Sequence, residues 1–416
     1  MKRMLTGNAA AAWGARLADV DYVPAFPITP QTEIIESISH WCTEGIMNSR
    51  FVMMDSEHSM VTAAGAAAAT GVRVFTATSS QGLIYALEAL YTIAGWRVPL
   101  VLVNVSRGLS APITLEADHN DILSARDTGF LQIHAETCQE VLDSIIMGYR
   151  IAEDPRVLLP VIINMDGFSL SFTREPVHIP DAERIAAFLP TYHPEHALFR
   201  ASTPMAQGVA VLGGVAYSYF KYQTHLAAMN GIVVHDEVAR LFGQLTGRHY
   251  GVIDTYKLDD ADHFFVMTNA LATRGKAAID HLRSLGKSVG LLRLRLIRPL
   301  PVEAVKSALC GKHSVIMIDQ NLSHGRGGIL YQELAAALYN EPDRPQIMRS
   351  FVGGLGGKNI TFDEFAYMLD SVSTDAPAFD DRSHLLYTEA EWDQMRTMLS
   401  MAGKELPDDD DISIDT

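Results

Sequence analysis

The sequence predicts an α/β protein built on parallel sheets covered on both faces, followed by a second, smaller α/β unit. Three observations carry this. Segments such as 99–105 and 157–165 are short and almost wholly apolar, as in strands buried on both sides. Helix-patterned segments alternate with such runs. The alternation breaks at Glu175-Pro176-Val177-His178-Ile179-Pro180 and resumes near Tyr250. A length of 416 residues and 48% hydrophobic content leave room for two or three domains with large cores.

The elements follow in order. Residues 7–17 are alanine-rich and read as a packed helix. Residues 22–26 form a short apolar strand closed by Pro27, and 32–40 are helical. Residues 59–70 are nearly all small, so this helix is expected to pack closely on a neighbour. A strand at 72–78, a helix at 83–94 and strands at 99–105 and 157–165 complete the unit. Residues 188–207 read as a connector and 210–245 as partly helical. The second unit shows strands at 264–267, 288–294 and 314–319, with helices at 274–285, 301–309 and 328–338. These patterns place domains at 1–245 and 246–372, with an extension at 373–416. The extension has a helical stretch at 389–401 and ends in an acidic run, 407–416. Such a run is expected to be a solvated tail, with a clamp on a neighbouring subunit as the alternative.

The net charge of −16 disfavours nucleic acid and anionic membrane surfaces as partners. The three cysteines, Cys42, Cys138 and Cys310, are far apart and match no metal or cluster spacing. They are expected to be free thiols in a reducing cytosol. Met1-Lys2-Arg3 is basic, but the stretch after it is interrupted by Asn8 and Arg16, unlike a secretory signal. No run reaches the ~18 apolar residues of a membrane span. A cytoplasmic protein without a membrane span is expected.

Four segments stand out: Pro27-Ile28-Thr29-Pro30, Asp55-Ser56-Glu57-His58-Ser59, Thr76-Ala77-Thr78-Ser79-Ser80-Gln81-Gly82 and Ser106-Arg107-Gly108-Leu109-Ser110-Ala111-Pro112. Three follow expected strands, where open parallel sheets bind ligands. Glu57 lies between Met53-Met54 and a run of alanines. Partial burial there would raise its pKa and suit proton transfer. As the start of a helix after Ser56, it also reads as a favourable N-terminal carboxylate. Thr29 sits in a loop stiffened by prolines, which can present one hydroxyl at a fixed point. The plainer reading is a strand-to-helix turn with Thr29 or Thr32 as N-cap. Arg107 offers a planar guanidinium suited to a carboxylate. Its plainer reading is a salt bridge to Asp118 or Asp121. His58, Asp118 and His119 are given no catalytic role.

In this order and spacing the four segments resemble the pyrimidine-binding domain of the 2-oxoacid:ferredoxin oxidoreductases, the family of pyruvate:ferredoxin oxidoreductase. The resemblance covers residues 1–372. Residues 286–301 and Asp319-Gln320-Asn321, before the glycines at 325, 327 and 328, resemble the carboxy-terminal domain of transketolase-type enzymes. The implied fold is a thiamine-diphosphate-binding pyrimidine domain, a doubly wound parallel sheet, plus a transketolase C-terminal-like α/β domain. The implied function is that of the α subunit of a coenzyme-A-acylating 2-oxoacid oxidoreductase.

In that reading Glu57 bonds the N1′ edge of the aminopyrimidine, with Pro27 and Ile28 beside the cofactor. Thr29 and Arg107 contact the 2-oxoacid. No Gly-Asp-Gly occurs, so a partner β subunit is expected to supply the diphosphate half-site and Mg²⁺, and no metal site is expected here. Iron–sulfur clusters are expected on other subunits, and γ and ferredoxin-like subunits are the further partners implied. A flavin is added there if NAD replaces ferredoxin as acceptor.

The chain departs from the family pattern at Arg107-Gly108 and at Leu115-Glu116-Ala117-Asp118-His119. Pyruvate enzymes commonly carry an alanine after the arginine and a tryptophan–asparagine pair before Asp-His. The smaller residues predict room for a bulky or aryl 2-oxoacid such as phenylglyoxylate, with pyruvate as the alternative. Two other classes stay open: a two-chain thiamine-dependent transferase or decarboxylase without redox, and a non-catalytic scaffold. The presence of Thr29, Glu57 and Arg107 together counts against the scaffold.

Overall fold

The computed structural model describes residues 1–194, 199–372 and 379–403. The acidic run at 407–416 lies outside the described residues. The chain forms two compact units. The first holds Met1–Asp254, Thr268–Ala272 and Arg293–Ala304; the second holds Thr255–Met267, Thr273–Leu292 and Val305–Thr416.

Through the first unit the chain runs β1 (Lys2–Thr6), α1 (Gly7–Leu17), β2 (Tyr22–Ala25), α2 (Thr32–Thr43), β3 (Arg50–Met53), α3 (Glu57–Ala68), β4 (Phe75–Thr78), α4 (Gln81–Tyr85), α5 (Leu87–Trp96), β5 (Val101–Ser106), α6 (Asn120–Ser124), β6 (Leu131–His134), α7 (Cys138–Ala152), β7 (Val161–Asp166), β8 (Arg174–His178), α8 (Ala182–Phe188) and α9 (Gly214–Thr246). Strands β4, β5, β7 and β6 lie side by side and parallel. A parallel pair, β2 and β3, continues the sheet through a single bridge from Tyr22 to Val74. Every residue of β5 and β7 is buried, which is why their sequences are mostly apolar, with the polar side chains of Asn104, Ser106, Asn164 and Asp166 toward their carboxyl ends. One buried Val, Leu or Ile contributes about 1.5–3 kcal/mol, so these two strands anchor the unit. Helix α7 is buried at most positions, and Ala10, Ala11, Ala12 and Ala15 of α1 join it in the same core.

Three features of this unit differ from the simple alternation read in the sequence. The proline-bearing stretch at 175–180 includes a strand: β8 pairs antiparallel with β1, with Pro176 opposite Met4. A proline is tolerated there because the sheet has only two strands and both are edges. The segment read as partly helical is one 33-residue helix, α9. The helix read at 83–94 is two helices, α4 and α5, meeting at Ala86.

The rest of the chain runs β9 (Ile253–Tyr256), β10 (His263–Met267), α10 (Leu271–Ser284), β11 (Val289–Leu294), β12 (Leu296–Arg298), α11 (Val302–Leu309), β13 (Ser314–Asp319), α12 (Ile329–Leu338), β14 (Ile347–Val352), α13 (Phe362–Asp370), β15 (Phe379–Leu385) and α14 (Glu389–Met401). Strand β12 returns to the first unit, antiparallel to β6. The second sheet has the order β15-β14-β13-β10-β11-β9, with β10, β13, β14 and β15 parallel. Thr361 starts α13 with a reciprocal capping box to Glu364, and Thr388 starts α14 with one to Glu391. No described helix is long and apolar enough to cross a membrane.

Candidate active site

Four loops leave the carboxyl ends of β2, β3, β4 and β5, as expected for ligand binding on a parallel sheet. The first is Pro27–Pro30. It is tied down by Gln31, whose Nε2 donates to the Phe26 carbonyl at 2.8 Å and whose backbone N–H donates to the Ile28 carbonyl at 3.0 Å. Asn8 Nδ2 donates to the Pro30 carbonyl at 2.8 Å. Pro27 and Thr29 are exposed, Ile28 is half-buried and Pro30 is buried. The N-cap of α2 is Gln31, so neither Thr29 nor Thr32 caps that helix.

Arg107, at the end of β5, is only 5% exposed. Its Nε donates to the Thr29 carbonyl at 2.7 Å and its Nη1 to the Gly108 carbonyl at 3.2 Å. It makes no ion pair among the described residues, so a salt bridge to Asp118 or Asp121 does not account for it. Burial lowers its pKa, opposed by the charge of Asp121. Asp121 itself is fully buried and held by four donors: Ser106 Oγ at 2.8 Å, Asn104 Nδ2 at 3.1 Å, and the N–H groups of Ser80 at 3.0 Å and Ile122 at 2.6 Å. Burial raises its pKa, and the hydrogen bonds from Asn104, Ser106 and Ile122 oppose the rise.

Glu57 is the first residue of α3 and is 7% exposed. Ser56 caps the helix, its Oγ accepting from Ser59 N–H at 3.2 Å. The helix-start reading and a functional role are therefore compatible. Gly82 explains how the carboxylate fits. A Cβ on Gly82 would lie 2.4 Å from Thr78 Oγ1 and 2.6 Å from Glu57 Oε1, so only glycine lets both groups approach this turn. The Glu57 carboxylate makes no hydrogen bond among the described residues. At the end of β4 the buried hydroxyls of Thr78 and Ser79 have no hydrogen-bond partner among the described residues. An unmatched buried polar group costs about 1–3 kcal/mol, so this end of β4 suits a ligand with a polar edge. An aminopyrimidine fits that donor and acceptor set.

Behind these loops lies a buried histidine pair. His119 Nε2 is 2.7 Å from Asp166 Oδ1, and His134 Nδ1 bonds Asn269 Oδ1. The rings are 6.0 Å apart. Burial opposes charge on His119, but Asp166 overrides it and the pKa is raised. Burial pushes His134 down to about 3, helped by the charge of His119. His58 is partly exposed, with Nε2 3.7 Å from Glu88 Oε2.

The expectation of extra room at Gly108 needs correction. A Cβ there would lie 2.5 Å from Thr114 Cγ2, so the threonine methyl already occupies the space. The loop folds back on itself: Gly108 N–H donates to the Glu116 carbonyl at 3.2 Å, and Glu116 N–H to Thr114 Oγ1 at 3.2 Å. Ala117 is 1% exposed and part of the core. Small residues here mark a tight loop, and no added pocket volume follows from them.

Ser80, Gly82 and Asp121 were missed as organisers of the site. The bonds from Ser80 to Gly108 and Asp121 span 28 and 41 residues, which no local pattern reveals. Away from this site, Cys310, Glu341 and Asp343 offer ligand atoms within 4.8 Å of one another. Lys306 Nζ lies 2.9 Å from Glu341, so that carboxylate already carries a positive partner. Cys138 is buried, its Sγ 3.4 Å from the Thr173 carbonyl, and burial pushes its thiol pKa up.

Residues 13–240 match the family model described as pyruvate flavodoxin/ferredoxin oxidoreductase, thiamine diP-binding. The chain belongs to this family. Residues 261–365 of this family member match pyruvate:ferredoxin oxidoreductase core domain II. It is 40% identical over 370 residues to pyruvate synthase subunit PorA of Pyrococcus furiosus, covering 89% of this chain and 93% of that one. To PorA of Methanocaldococcus jannaschii it is 40% identical over 375 residues, covering 89% and 94%. To ketoisovalerate oxidoreductase subunit VorA of Pyrococcus horikoshii it is 40% identical over 362 residues, covering 87% and 91%. Among solved structures, the 2-oxoglutarate:ferredoxin oxidoreductase of Magnetococcus marinus shares the fold with a TM-score of 0.68 at 18% identity. That likeness covers 89% of this chain and 65% of the other.

Proposed function

We propose that this member of the pyruvate flavodoxin/ferredoxin oxidoreductase family is the α subunit of a thiamine-diphosphate-dependent, coenzyme-A-acylating 2-oxoacid oxidoreductase, and that its substrate is pyruvate. The observation that carries the site reading is the unpaired Glu57 carboxylate on Gly82, in the same group of loops as the Thr29–Arg107 pair. Bound thiamine diphosphate would supply a carbon nucleophile for the keto group of the acid. Glu57 would hold the proton at the pyrimidine N1′, its low exposure keeping water from that bond. Pro27 and Ile28 would lie against the cofactor ring. Thr29 Oγ1 and the Nη edge of Arg107 would bind the substrate carboxylate, since Nε is already used by the Thr29 carbonyl.

The substrate assignment rests on two supports. Several relatives are named pyruvate synthase subunits. The loop at Gly108 is closed by Thr114, which removes the argument for phenylglyoxylate. A branched 2-oxoacid is the second reading, favoured by the similarity to a ketoisovalerate oxidoreductase subunit.

The remaining parts follow from the family and from what this chain lacks in sequence. A partner β subunit would hold the diphosphate and Mg²⁺, because no Gly-Asp-Gly is present here. Other subunits would carry iron–sulfur clusters and pass electrons to ferredoxin. The family description names flavodoxin and ferredoxin as carriers, which gives no support to NAD and a flavin subunit. Residues 1–245 would be the pyrimidine-side domain, 246–372 the transketolase C-terminal-like domain and 373–416 an extension. Three free thiols fit a cytoplasmic setting.

The test is kcat/KM of the co-purified complex for pyruvate, ketoisovalerate and phenylglyoxylate. Pyruvate is expected to be the best of the three. A clear preference for phenylglyoxylate would overturn the substrate assignment.

A further inference from the structure

Ser80 sits at the turn from β4 into α4 with φ 46° and ψ −115°, in the region that favours glycine. It is fully buried. A non-glycine residue there costs on the order of 1–3 kcal/mol and persists only when its surroundings hold it. Three bonds hold it: its N–H donates to Asp121 Oδ2 and its Oγ to the Gly108 carbonyl, both at 3.0 Å, and its carbonyl accepts from Ile84 N–H at 3.2 Å. The same Gly108 carbonyl receives Arg107 Nη1 at 3.2 Å. Immediately after Ser80 the chain places Gly82 on Glu57. In hydrolases a strained strand-to-helix turn displays a nucleophile. Here the hydroxyl is buried and donates to a carbonyl, so it is a tie and not an attacking group.

We propose that Ser80 is a positioning residue for the side of the site that binds the substrate carboxylate. Its hydroxyl fixes the Gly108 carbonyl and so the guanidinium of Arg107. This rests on the reading of Arg107 as the carboxylate holder.

The experiment uses the co-purified complex with Ser80→Ala, Ser80→Gly and, separately, Arg107→Lys. Steady-state kinetics with pyruvate give KM and kcat, and NMR gives the C2-proton exchange rate of bound thiamine diphosphate. Both Ser80 variants are expected to raise KM about five- to tenfold, the size of one lost hydrogen bond. Exchange should stay within about twofold, since the Glu57 side keeps its own packing. Ser80→Gly accepts the positive φ without strain, so it should keep the complex's Tm and shows that the KM rise is not unfolding. If Ser80→Ala fails to assemble, Ser80→Gly alone decides. An unchanged KM in the Ser80 variants, with KM raised by Arg107→Lys, overturns this inference alone. An unchanged KM in Arg107→Lys overturns the reading beneath it. Exchange falling as far as substrate use would make Ser80 a general structural residue and also refute the proposal.

Discussion

The Nε of Arg107 donates to the backbone carbonyl of Thr29 at 2.7 Å, across 78 residues of sequence. The bond ties the loop after β2 to the end of β5. It leaves the Nη edge of the guanidinium as the only part able to meet a carboxylate.

Arg107→Lys should therefore do two kinds of damage. Lysine keeps a charge but cannot hold the Thr29 and Gly108 carbonyls while also binding substrate. The loss of a charged hydrogen bond of ~1.5–3 kcal/mol predicts kcat/KM for pyruvate lower by roughly ten- to a hundredfold. Thiamine diphosphate affinity of the complex, followed by titration calorimetry, should change little. A variant with normal kcat/KM would remove Arg107 from substrate binding.

Gly82→Ala adds one methyl group where Thr78 Oγ1 and Glu57 Oε1 lie 2.4 and 2.6 Å away. The carboxylate must move or the turn must shift. The expected result is at least a tenfold loss in thiamine diphosphate affinity of the complex, with a smaller change in KM for pyruvate once cofactor is saturating. Unaltered cofactor affinity would show that Glu57 need not sit on this turn.

Gly108→Leu follows from the corrected view of the loop. The side chain would collide with Thr114 Cγ2, 2.5 Å from the first added atom. Overpacking of this kind costs about 1–3 kcal/mol, so a lower Tm of the complex is predicted, with no switch in substrate preference. A stable variant with altered preference would restore the idea that this position sets pocket size.

His134 gives a pH dependence. Burial, then the charge of His119, lowers its folded-state pKa to about 3, while an unfolded histidine titrates near 6.5. The unfolded chain binds the extra proton between these values. His134 therefore contributes stability that is complete above pH ~6.5 and is lost toward pH 3, at up to about 1.4 kcal/mol per pH unit. His119, with a raised pKa, acts in the opposite sense: its contribution is complete below pH ~6.5 and is lost as pH rises through its folded value. Urea midpoints of wild type and His134→Asn between pH 7 and 5 should show a flatter acid side in the variant. Equal slopes would contradict a neutral, buried His134.

Much of this could be read from the chain. The loops bearing Thr29 and Arg107 follow strands that their apolar runs announce, and α1 spans the expected residues 7–17. Strand–loop–helix units are local, so local patterns reveal them. What stayed hidden depends on distant partners. Asp121 looks like any acidic residue until Ser80, Asn104 and Ser106 are seen to converge on it. Gly108 suggested an open pocket because the sequence does not show that Thr114 turns back to fill it. Strand β12 pairs with β6, which lies more than 160 residues earlier, and three residues are too few to signal that pairing.

The central claim is that Glu57 serves the pyrimidine edge of the cofactor. The most direct measurement is C2-proton exchange of thiamine diphosphate bound to the complex, by NMR, in wild type and Glu57→Gln. The substitution is close to isosteric and should leave assembly intact. Exchange in Glu57→Gln is expected to be slower by about 10²-fold or more, as for loss of a positioned proton-transfer group. Exchange at the wild-type rate, in an assembled and cofactor-loaded variant, would contradict it.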